Sequence, residues 1–287
     1  MKTYKHLAYD QQCQIYALKK SHLTQQAIAD IVGVSQTTIS RDLKRVSKGS
    51  VDRRLKLNIL MDHLCYCSQV KIKPIGYLKM KLYGVGKSRS FRALWALEEA
   101  GIEYEYISVK FGSSDENGSA SEEYKTLNPQ GKVPTLVDGG LVVTESGAIL
   151  NYIAANSPKL HLIPSNDLKR RAKYDEVCYF VLSELEQGLW TNGKHRFALP
   201  EAQRVSDILP TATWEFNKAI KTLQSRFSGE GFVLGDEFTM ADVLLAQTLD
   251  WAERFEFDVP DNLLSYKNKM YYRKGCKNAL EKLEEAQ

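Results

Sequence analysis

Residues Met80–Gly101 read MKLYGVGKSRSFRALWALEEAG, and this stretch predicts a β-strand followed by a helix. Apolar residues alternate with other residues just after Met80, as they do in a strand. Ser88–Ala100 carries apolar residues at helical spacing and stops before Gly101, which favours an amphipathic helix. A second strand is expected at Tyr104–Val109. Together these elements predict a βαβ unit, with parallel strands and a right-handed crossover.

The residues that follow predict two more strands between two helices. A short helix, EEYKTL (residues 122–127), precedes the turn NPQGKVP (128–134), and the helix SGAILNYIAAN (146–156) comes last. Between them, the runs PTLVD and LVVTE are separated by Asp-Gly-Gly, which is a hairpin signal. A βαβ unit followed by a ββα unit predicts an α/β domain over residues 80–157, with a four-stranded mixed sheet.

Residues 168–287 predict a second, all-α domain. Thr239 and Asp242 form the pattern of a capping box, and Phe238 is placed as its hydrophobic staple. The expected helices cover residues 168–190, 201–227, 239–255, 263–275 and 277–286.

Charge is split unevenly along the chain, whose net charge is +4. Residues 1–79 hold 14 Lys or Arg and 5 Asp or Glu, which gives +9. Residues 80–287 hold 25 basic and 30 acidic residues, which gives −5. The asymmetry indicates that the N-terminal part meets a polyanion while the rest has another role.

The basic segment, residues 1–47, predicts a small three-helix unit that contains a helix-turn-helix. Helices are expected at 9–20, at 24–33 behind the cap Thr24, and at 35–46 behind the cap Ser35. The third helix would then enter a DNA major groove. Its side chains suited to base edges are Gln36, Thr37 and Thr38, and those suited to phosphates are Arg41, Lys44 and Arg45. The alternative is a helical hairpin with a solvated basic face.

The run YKHLAYDQQCQIYALKKSHLTQQAIADIVGVSQTTISRDLKR resembles the N-terminal DNA-binding segment of insertion-sequence transposases of the Asp-Asp-Glu type. The resemblance stops near residue 47, and no transposase catalytic domain follows, so transposition is not implied. Residues 48–79 show neither a helical nor a strand period and are expected to be a linker. Our interpretation is that a truncated insertion element was joined in frame to an existing gene and left a passenger segment.

The composition is ordinary for a soluble globular protein, and the N-terminus and the cysteines predict a cytoplasmic location. The chain is 43% hydrophobic and 26% charged, and no apolar run suggests a span or a secretory signal. Its five cysteines are scattered, which favours free thiols in a reducing compartment. Cys65 and Cys67 form only a C-x-C, so no metal site is expected.

From Met80 onward, the order of elements and the motifs NPQGKVPTL, ESGAI and FTMADV resemble the glutathione transferases. SRSFRALWALEEAGIEYE is similar to bacterial and fungal members whose first helix begins Ser-Arg-Ser or Ser-Arg-Ala. The resemblance implies a thioredoxin-like N-terminal domain, an all-helical C-terminal domain, glutathione as co-substrate, and a homodimer. One departure is Arg273-Lys274-Gly275-Cys276, which stands where many members carry Arg-Pro-Ala.

By this resemblance, Ser88 is the catalytic residue. It lies where the first strand meets the first helix, and its hydroxyl would donate a hydrogen bond to the glutathione sulfur. An ordinary N-cap serine is the competing interpretation. Ser90 and Tyr83 are nearby alternatives for the same role.

The resemblance also implies the glutathione-binding residues. Val133 precedes Pro134, which is cis in the family, so the Val133 backbone is left to pair with the cysteinyl unit like an added strand. Ser146 would bind the γ-glutamyl carboxylate and Glu145 the γ-glutamyl ammonium. Lys132 would meet the glycyl carboxylate, although an exposed turn lysine is the simpler interpretation.

The electrophile is expected to bind between the domains, against the first long C-terminal helix. Tyr179 and Trp190 are the main candidates, but aromatic residues at helical spacing are also typical of a core. Further candidates are Phe180, His195 and Phe197, with His195 also readable as part of a helix-terminal basic cluster.

The sequence therefore predicts a glutathione transferase that conjugates the thiol to small hydrophobic electrophiles. Two alternatives stay open: a DNA-binding regulator that uses the transferase fold as a glutathione or electrophile sensor, and a protein that binds glutathione without turnover.

Overall fold

The computed structural model describes residues 15, 18–19, 24–47, 79–157, 161–164 and 167–286. Most of the predicted first helix lies outside these residues, as do the predicted linker apart from Lys79 and the cysteines Cys13, Cys65 and Cys67. The chain divides into two compact units, Met1–Tyr77 and Leu78–Gln287, and each is described by itself.

In the first unit, two helices form a hairpin. Helix α1 is Gln25–Val32 and helix α2 is Gln36–Ser47. Thr24 caps α1, because its hydroxyl accepts the Ala27 N–H at 3.3 Å. Gly33 ends α1 with a left-handed backbone (φ 69°), which glycine adopts without strain. A small apolar cluster of Ile15, Ile28, Ala29 and Ile39 lies at the centre.

The second unit begins with the expected βαβ and ββα elements. Their order is β1 Met80–Gly84, α3 Ser90–Ala100, β2 Tyr104–Ser108, α4 Glu122–Leu127, β3 Thr135–Asp138, β4 Leu141–Thr144 and α5 Ser146–Asn156. The sheet order is β2-β1-β3-β4. Strands β1 and β2 are parallel, with Leu82 opposite Tyr106, whereas β3 is antiparallel to both β1 and β4. The predicted thioredoxin-like mixed sheet is confirmed.

Helix α3 differs from its prediction in one respect. The sequence predicts an amphipathic helix, but ten of its eleven residues are buried. The reason is tertiary, because α3 packs between the sheet, α5 and two helices of the C-terminal domain. Two charged residues, Arg92 and Glu99, are buried with it.

The C-terminal domain is helical. Its α-helices are α6 Leu168–Phe180, α7 Glu186–Gly193, α8 Leu209–Gln224, α9 Met240–Arg254, α10 Asp261–Tyr271 and α11 Lys274–Glu285. Single π-helical turns, Val181–Leu185 and Lys194–Ala198, follow α6 and α7, so the predicted first helix continues beyond Trp190. Among the described residues, no helix is both long and apolar enough to cross a membrane.

Two predicted helix boundaries in this domain are wrong. The helix expected from Glu201 begins instead at Leu209, after two short 3₁₀ turns. Pro210 fits the first turn of α8 because that turn needs no proline N–H. The helix expected to run to Gly275 ends at Tyr271, and α11 starts at Lys274.

The predicted capping box at α9 is confirmed. The Asp242 carboxylate accepts the Thr239 N–H at 2.9 Å. In the reciprocal contact of the capping box, the Thr239 hydroxyl accepts the Asp242 N–H. Asp242 also accepts the Val233 N–H and the Tyr266 hydroxyl, each at 2.8 Å. The carboxylate therefore ties the start of α9 to the preceding loop and to α10. Phe238, the predicted staple, is buried in the same core.

Candidate functional site

Ser88 lies in the loop between β1 and α3, two residues before the helix begins. Its hydroxyl accepts the Ser90 N–H at 3.2 Å, and its N–H donates to the Val85 carbonyl at 3.2 Å. The N-cap position belongs to Arg89, whose side chain makes no capping bond. Ser88 is half-buried, so part of the residue is open to solvent.

The Ser90 hydroxyl contacts the Ser88 hydroxyl and holds it in place. The two hydroxyl oxygens are 2.6 Å apart, and Ser90 Oγ also accepts the Val85 N–H at 2.8 Å. Ser90 is 1% exposed, so of these two hydroxyls Ser88 is the accessible one. Gly84 makes room for the pair, because a Cβ there would lie 2.8 Å from the Ser90 Cβ.

Tyr83, the other alternative, lies on the opposite face of β1 from Gly84, since side chains alternate along a strand. Its ring packs edge-to-face against Tyr124, with the centroids 5.8 Å apart. The Tyr83 side chain therefore lies on the face of β1 opposite to the one that Ser90 contacts at Gly84.

The turn before β3 has the backbone geometry expected of a peptide-binding edge. The Val133–Pro134 peptide bond is cis. Tyr124 and Asn128 both donate to the Lys132 carbonyl, at 2.7 and 2.8 Å, which fixes the backbone just before Val133. Val133 lies beyond the last paired residues of β1 and β3, and the Lys132 side chain is exposed.

At the start of α5, Glu145 and Ser146 form a second potential binding element. Glu145 is exposed and has a positive φ of 65°, an uncommon conformation for a residue with a side chain. Ser146 is the first helical residue and is buried, and its hydroxyl accepts a hydrogen bond from Arg92 Nη1 at 3.1 Å. A helix N-terminus with an adjacent hydroxyl is suited to bind a carboxylate.

The sequence prediction missed Arg92, the centre of a buried polar network between the two domains. Arg92 donates to Gln247, Thr248 and Glu186 of the helical domain at 2.6, 2.9 and 2.5 Å. Arg89 also donates to Glu186. A charged residue inside the otherwise apolar run FRALWAL was the available signal.

Charges within this network hold one another ionised. Burial alone would raise the pKa of the Glu186 carboxyl, but the charges and hydrogen bonds of Arg92 and Arg89 hold it below its usual value. Burial lowers the pKa of the Arg92 guanidinium, and Glu186 opposes that effect. Arg92 stays protonated despite its burial, because an arginine side chain keeps its proton in proteins.

Aromatic side chains from the helical domain gather around Arg89, the residue that follows Ser88. The Arg89 guanidinium lies 4.6 Å from the Trp190 ring centroid and 4.7 Å from that of Trp251. Phe255 extends the cluster, with its ring 5.7 Å from Trp251 and 5.8 Å from Phe197. The sequence prediction included Trp190 and Phe197, but it missed Trp251 and Phe255 because the pattern of α9 is typical of a core helix.

The other residues predicted for the pocket have different surroundings. Tyr179 is 67% exposed and lies about 16 Å along the helical segment from Trp190, so its place in the pocket stays a prediction. Phe180 lies 5.6 Å from the Arg226 guanidinium. His195 Nδ1 accepts the Val205 N–H at 3.0 Å, which gives this histidine a structural contact.

The structure offers no evident metal centre within its described part. There, no cluster of three or more His, Cys, Asp or Glu side chains is placed to hold a metal ion. Cys178 and Cys276 are free and buried.

Two domain families match this chain. Residues 78–155 match the N-terminal domain of glutathione S-transferases, and residues 193–274 match their C-terminal domain.

Individual proteins agree with these matches. The chain is 34% identical to a maleylacetoacetate isomerase of Rattus norvegicus, over 69% of this chain and 87% of the relative. It is 30% identical to glutathione S-transferase D7 of Drosophila melanogaster, over 63% and 78%. A sphingomonad glutathione S-transferase solved with glutathione is 26% identical, with a TM-score of 0.62, over 71% of this chain and 98% of that one.

Proposed function

The chain belongs to the glutathione S-transferase family, with glutathione as its co-substrate, and on this premise we propose that it conjugates glutathione to small hydrophobic electrophiles at Ser88. The observation that carries the proposal is the pair of serine hydroxyls at the start of α3, where Ser90 supports the accessible Ser88. The pair lies at the N-terminus of α3, and the N-terminus of a helix favours negative charge.

The chemistry requires a thiolate, because a free thiol has a pKa of about 8.5 and is mostly protonated at neutral pH. The thiol of glutathione loses its proton to solvent. The Ser88 hydroxyl then donates a hydrogen bond to the sulfur and stabilises the thiolate. The sulfur then attacks an electrophilic carbon and forms a C–S bond. With a chloroarene, the C–Cl bond breaks and chloride leaves.

Glutathione binding follows from the two backbone elements of the thioredoxin-like domain. The Val133 N–H and C=O pair with the cysteinyl unit, and Pro134 keeps the turn in place. Ser146 and the first amides of α5 bind the γ-glutamyl carboxylate, while Glu145 binds its ammonium group. Lys132, which is exposed, meets the glycyl carboxylate.

The electrophile side is aromatic. The Arg89 guanidinium, on the residue after Ser88, packs against the rings of Trp190 and Trp251. Phe255 and Phe197 continue this aromatic surface. A flat, unsaturated electrophile suits such a surface because its face can stack on the rings.

The test is glutathione conjugation to an activated chloroarene, measured for the full chain and for a shorter chain that starts at Met80. We expect equal and appreciable rates, which would make the first seventy-nine residues dispensable for chemistry. Retention on immobilised glutathione without turnover of any electrophile would favour a binding protein instead. Because one relative is named as a maleylacetoacetate isomerase, the assay includes cis–trans isomerisation of a maleyl-type substrate.

Two further features belong to this proposal. The protein acts as a homodimer in the cytoplasm, as the resemblance to the family implies. Sedimentation of the full chain at assay concentrations tests the assembly, and a mass of one chain would contradict it.

A second candidate function concerns the basic N-terminal unit. Helix α2 buries Ile39 against α1 and leaves Gln36, Thr37, Arg41 and Lys44 exposed, with Thr38 half-buried. This is the arrangement with which a recognition helix meets a major groove. It supports DNA binding by the same chain, and hence a regulator that senses glutathione or electrophiles.

Binding of the full chain to a pool of random duplexes, followed by selection, tests the DNA hypothesis. We expect retention of a selected duplex at physiological salt and its loss in Arg41→Ala. Lys282→Ala, at an exposed site in the C-terminal helix, is the charge-matched control. Binding that is equal for all duplexes, or unchanged in Arg41→Ala, would leave α1 and α2 as a passenger hairpin.

A further inference from the structure

Arg92 lies in the first turn of α3 and has a fully buried side chain. A buried cation needs partners. Three of its partners, Gln247, Thr248 and Glu186, belong to the helical domain. The fourth is Ser146, the first residue of α5 in the thioredoxin-like domain. Arg92 therefore connects the predicted γ-glutamyl site to the interface between the two domains.

The bond between Arg92 and Ser146 sets the direction of the serine hydroxyl. A guanidinium has only donors, so Ser146 Oγ is the acceptor in this 3.1 Å bond. A hydroxyl has one proton and two acceptor positions, and Arg92 occupies one of those positions. The Ser146 proton is thus kept for donation to another group. At the N-terminus of α5, the group that suits such a donor is a carboxylate.

The charges around Ser146 favour the same ligand. Arg89 and Arg92 share the single carboxylate of Glu186, so the three ionised side chains together carry one positive charge in excess. Glu186 is itself buried and cannot balance both guanidinium groups. An anion bound at Ser146 would supply the second negative charge in surroundings of low dielectric constant, where the attraction is strong.

We propose that Arg92 is a positioning residue for glutathione, holding the Ser146 hydroxyl as a donor to the γ-glutamyl carboxylate and providing the positive charge that this carboxylate neutralises. The inference rests on the proposed function, because it takes glutathione as the ligand at Ser146. It also makes ligand affinity depend on the helical domain, whose Gln247, Thr248 and Glu186 hold Arg92 in place.

The experiment measures, by titration calorimetry, the Kd of the full chain for two ligands. One is glutathione and the other is 4-aminobutyryl-cysteinyl-glycine, which keeps the thiol and the glycyl carboxylate but lacks the γ-glutamyl carboxylate. We expect Arg92→Met and Ser146→Ala each to weaken glutathione binding by about 10- to 100-fold. Each should change binding of the analogue by less than about threefold. The double variant should be no weaker than the worse single variant, because both remove one coupled interaction.

Arg273→Met is the matched control. Arg273 also joins α3 to the helical domain, through hydrogen bonds of 2.8 and 2.9 Å to Glu99, but at the opposite end of the helix from the serine pair. We expect its Kd for glutathione to be unchanged. If Arg92→Met fails to fold, Arg92→Lys replaces it, since a lysine keeps the charge but cannot make the same four contacts. Its expected loss is smaller and again specific to glutathione.

The other outcomes separate the proposals. Equal losses for both ligands, additive losses in the double variant, or an equal loss in Arg273→Met would reduce Arg92 to a structural role and leave the proposed function standing. If the unaltered chain binds both ligands equally well, Ser146 does not read the γ-glutamyl carboxylate, and the Arg92 proposal is wrong. If it binds neither ligand, the proposed function is wrong as well.

Discussion

The Ser90 hydroxyl lies 2.6 Å from the Ser88 hydroxyl, and the Val85 N–H anchors it from the other side at 2.8 Å. The carbonyl of Val85 is a poorer acceptor for the Ser90 proton, at 3.3 Å. In the proposed reaction, Ser88 donates its own proton in a hydrogen bond to the bound thiolate, and Ser90 can then donate to Ser88 Oγ. The buried serine then strengthens the accessible one as a donor, because chained hydrogen bonds polarise one another.

Ser88→Ala should lower kcat for glutathione conjugation by about 100-fold, the usual loss when one donor to a developing negative charge is removed. KM for glutathione should change by less than about threefold, since the proposed backbone and Ser146 contacts remain. Ser88→Thr keeps the hydroxyl and should retain most of the rate. Full activity in Ser88→Ala together with a loss in Tyr83→Phe would move the catalytic role to the tyrosine.

Ser90→Ala should raise the apparent pKa of the bound thiol by about one unit, because the thiolate loses an indirect donor. The profile of kcat/KM against pH reports this pKa. The rate of Ser90→Ala should be lower at neutral pH and should recover at high pH, where the thiol is fully ionised. Ser121→Ala is the control, since Ser121 caps α4 in the same domain. An unchanged profile in Ser90→Ala would show that the hydroxyl pair is only structural.

Cys178 should resist alkylation in the native protein. Burial raises the pKa of its thiol to about 12, so the group stays protonated where an ordinary cysteine becomes a reactive thiolate, and burial also raises the pKa of Cys276. Iodoacetamide labelling followed by peptide mass spectrometry at pH 7 to about 9 should find both cysteines at least about 100-fold slower than in urea. Labelling at the same rate in both conditions would contradict this burial.

Asp242→Ala should lower the free energy of unfolding by about 3 kcal/mol, because several buried donors lose their acceptor together. Those donors are the N–H groups of Thr239 and Val233 and the Tyr266 hydroxyl. Urea unfolding of the full chain measures the change. Asp261→Ala, at the exposed first turn of α10, should cost less than about 1 kcal/mol. Equal costs in the two variants would make the capping box unimportant for stability.

Sequence patterns predict the elements of this protein well where the signal is local. The helices EEYKTL and SGAILNYIAAN have the predicted bounds, and the capping box at Thr239 is present. The predicted helix start at Glu201 was wrong, because the helical pattern of the sequence continued through residues whose backbone forms 3₁₀ turns. Periodicity shows which residues share a helix face, whereas the start of a helix depends on the backbone of one or two residues.

The site was predicted in part. Ser88, Val133 and Ser146 follow from short motifs, and their roles stay predictions. The contacts of Arg92 could not be predicted, since Glu186 and Gln247 lie 94 and 155 positions further along the chain. The same holds for Trp251 and Phe255, whose pattern is that of a core helix.

By itself, the sequence determined the order of strands and helices, the caps and the turn before β3, because such features depend on residues only a few positions apart. The tertiary structure decided which faces those elements bury. Helix α3 packs against elements of both domains. Arg92 on this helix therefore contacts Ser146 of the thioredoxin-like domain and Glu186 of the helical domain. These contacts depend on packing between segments that are distant in the sequence, because a buried charge is stable only when all of its hydrogen-bond and ion-pair partners are in place.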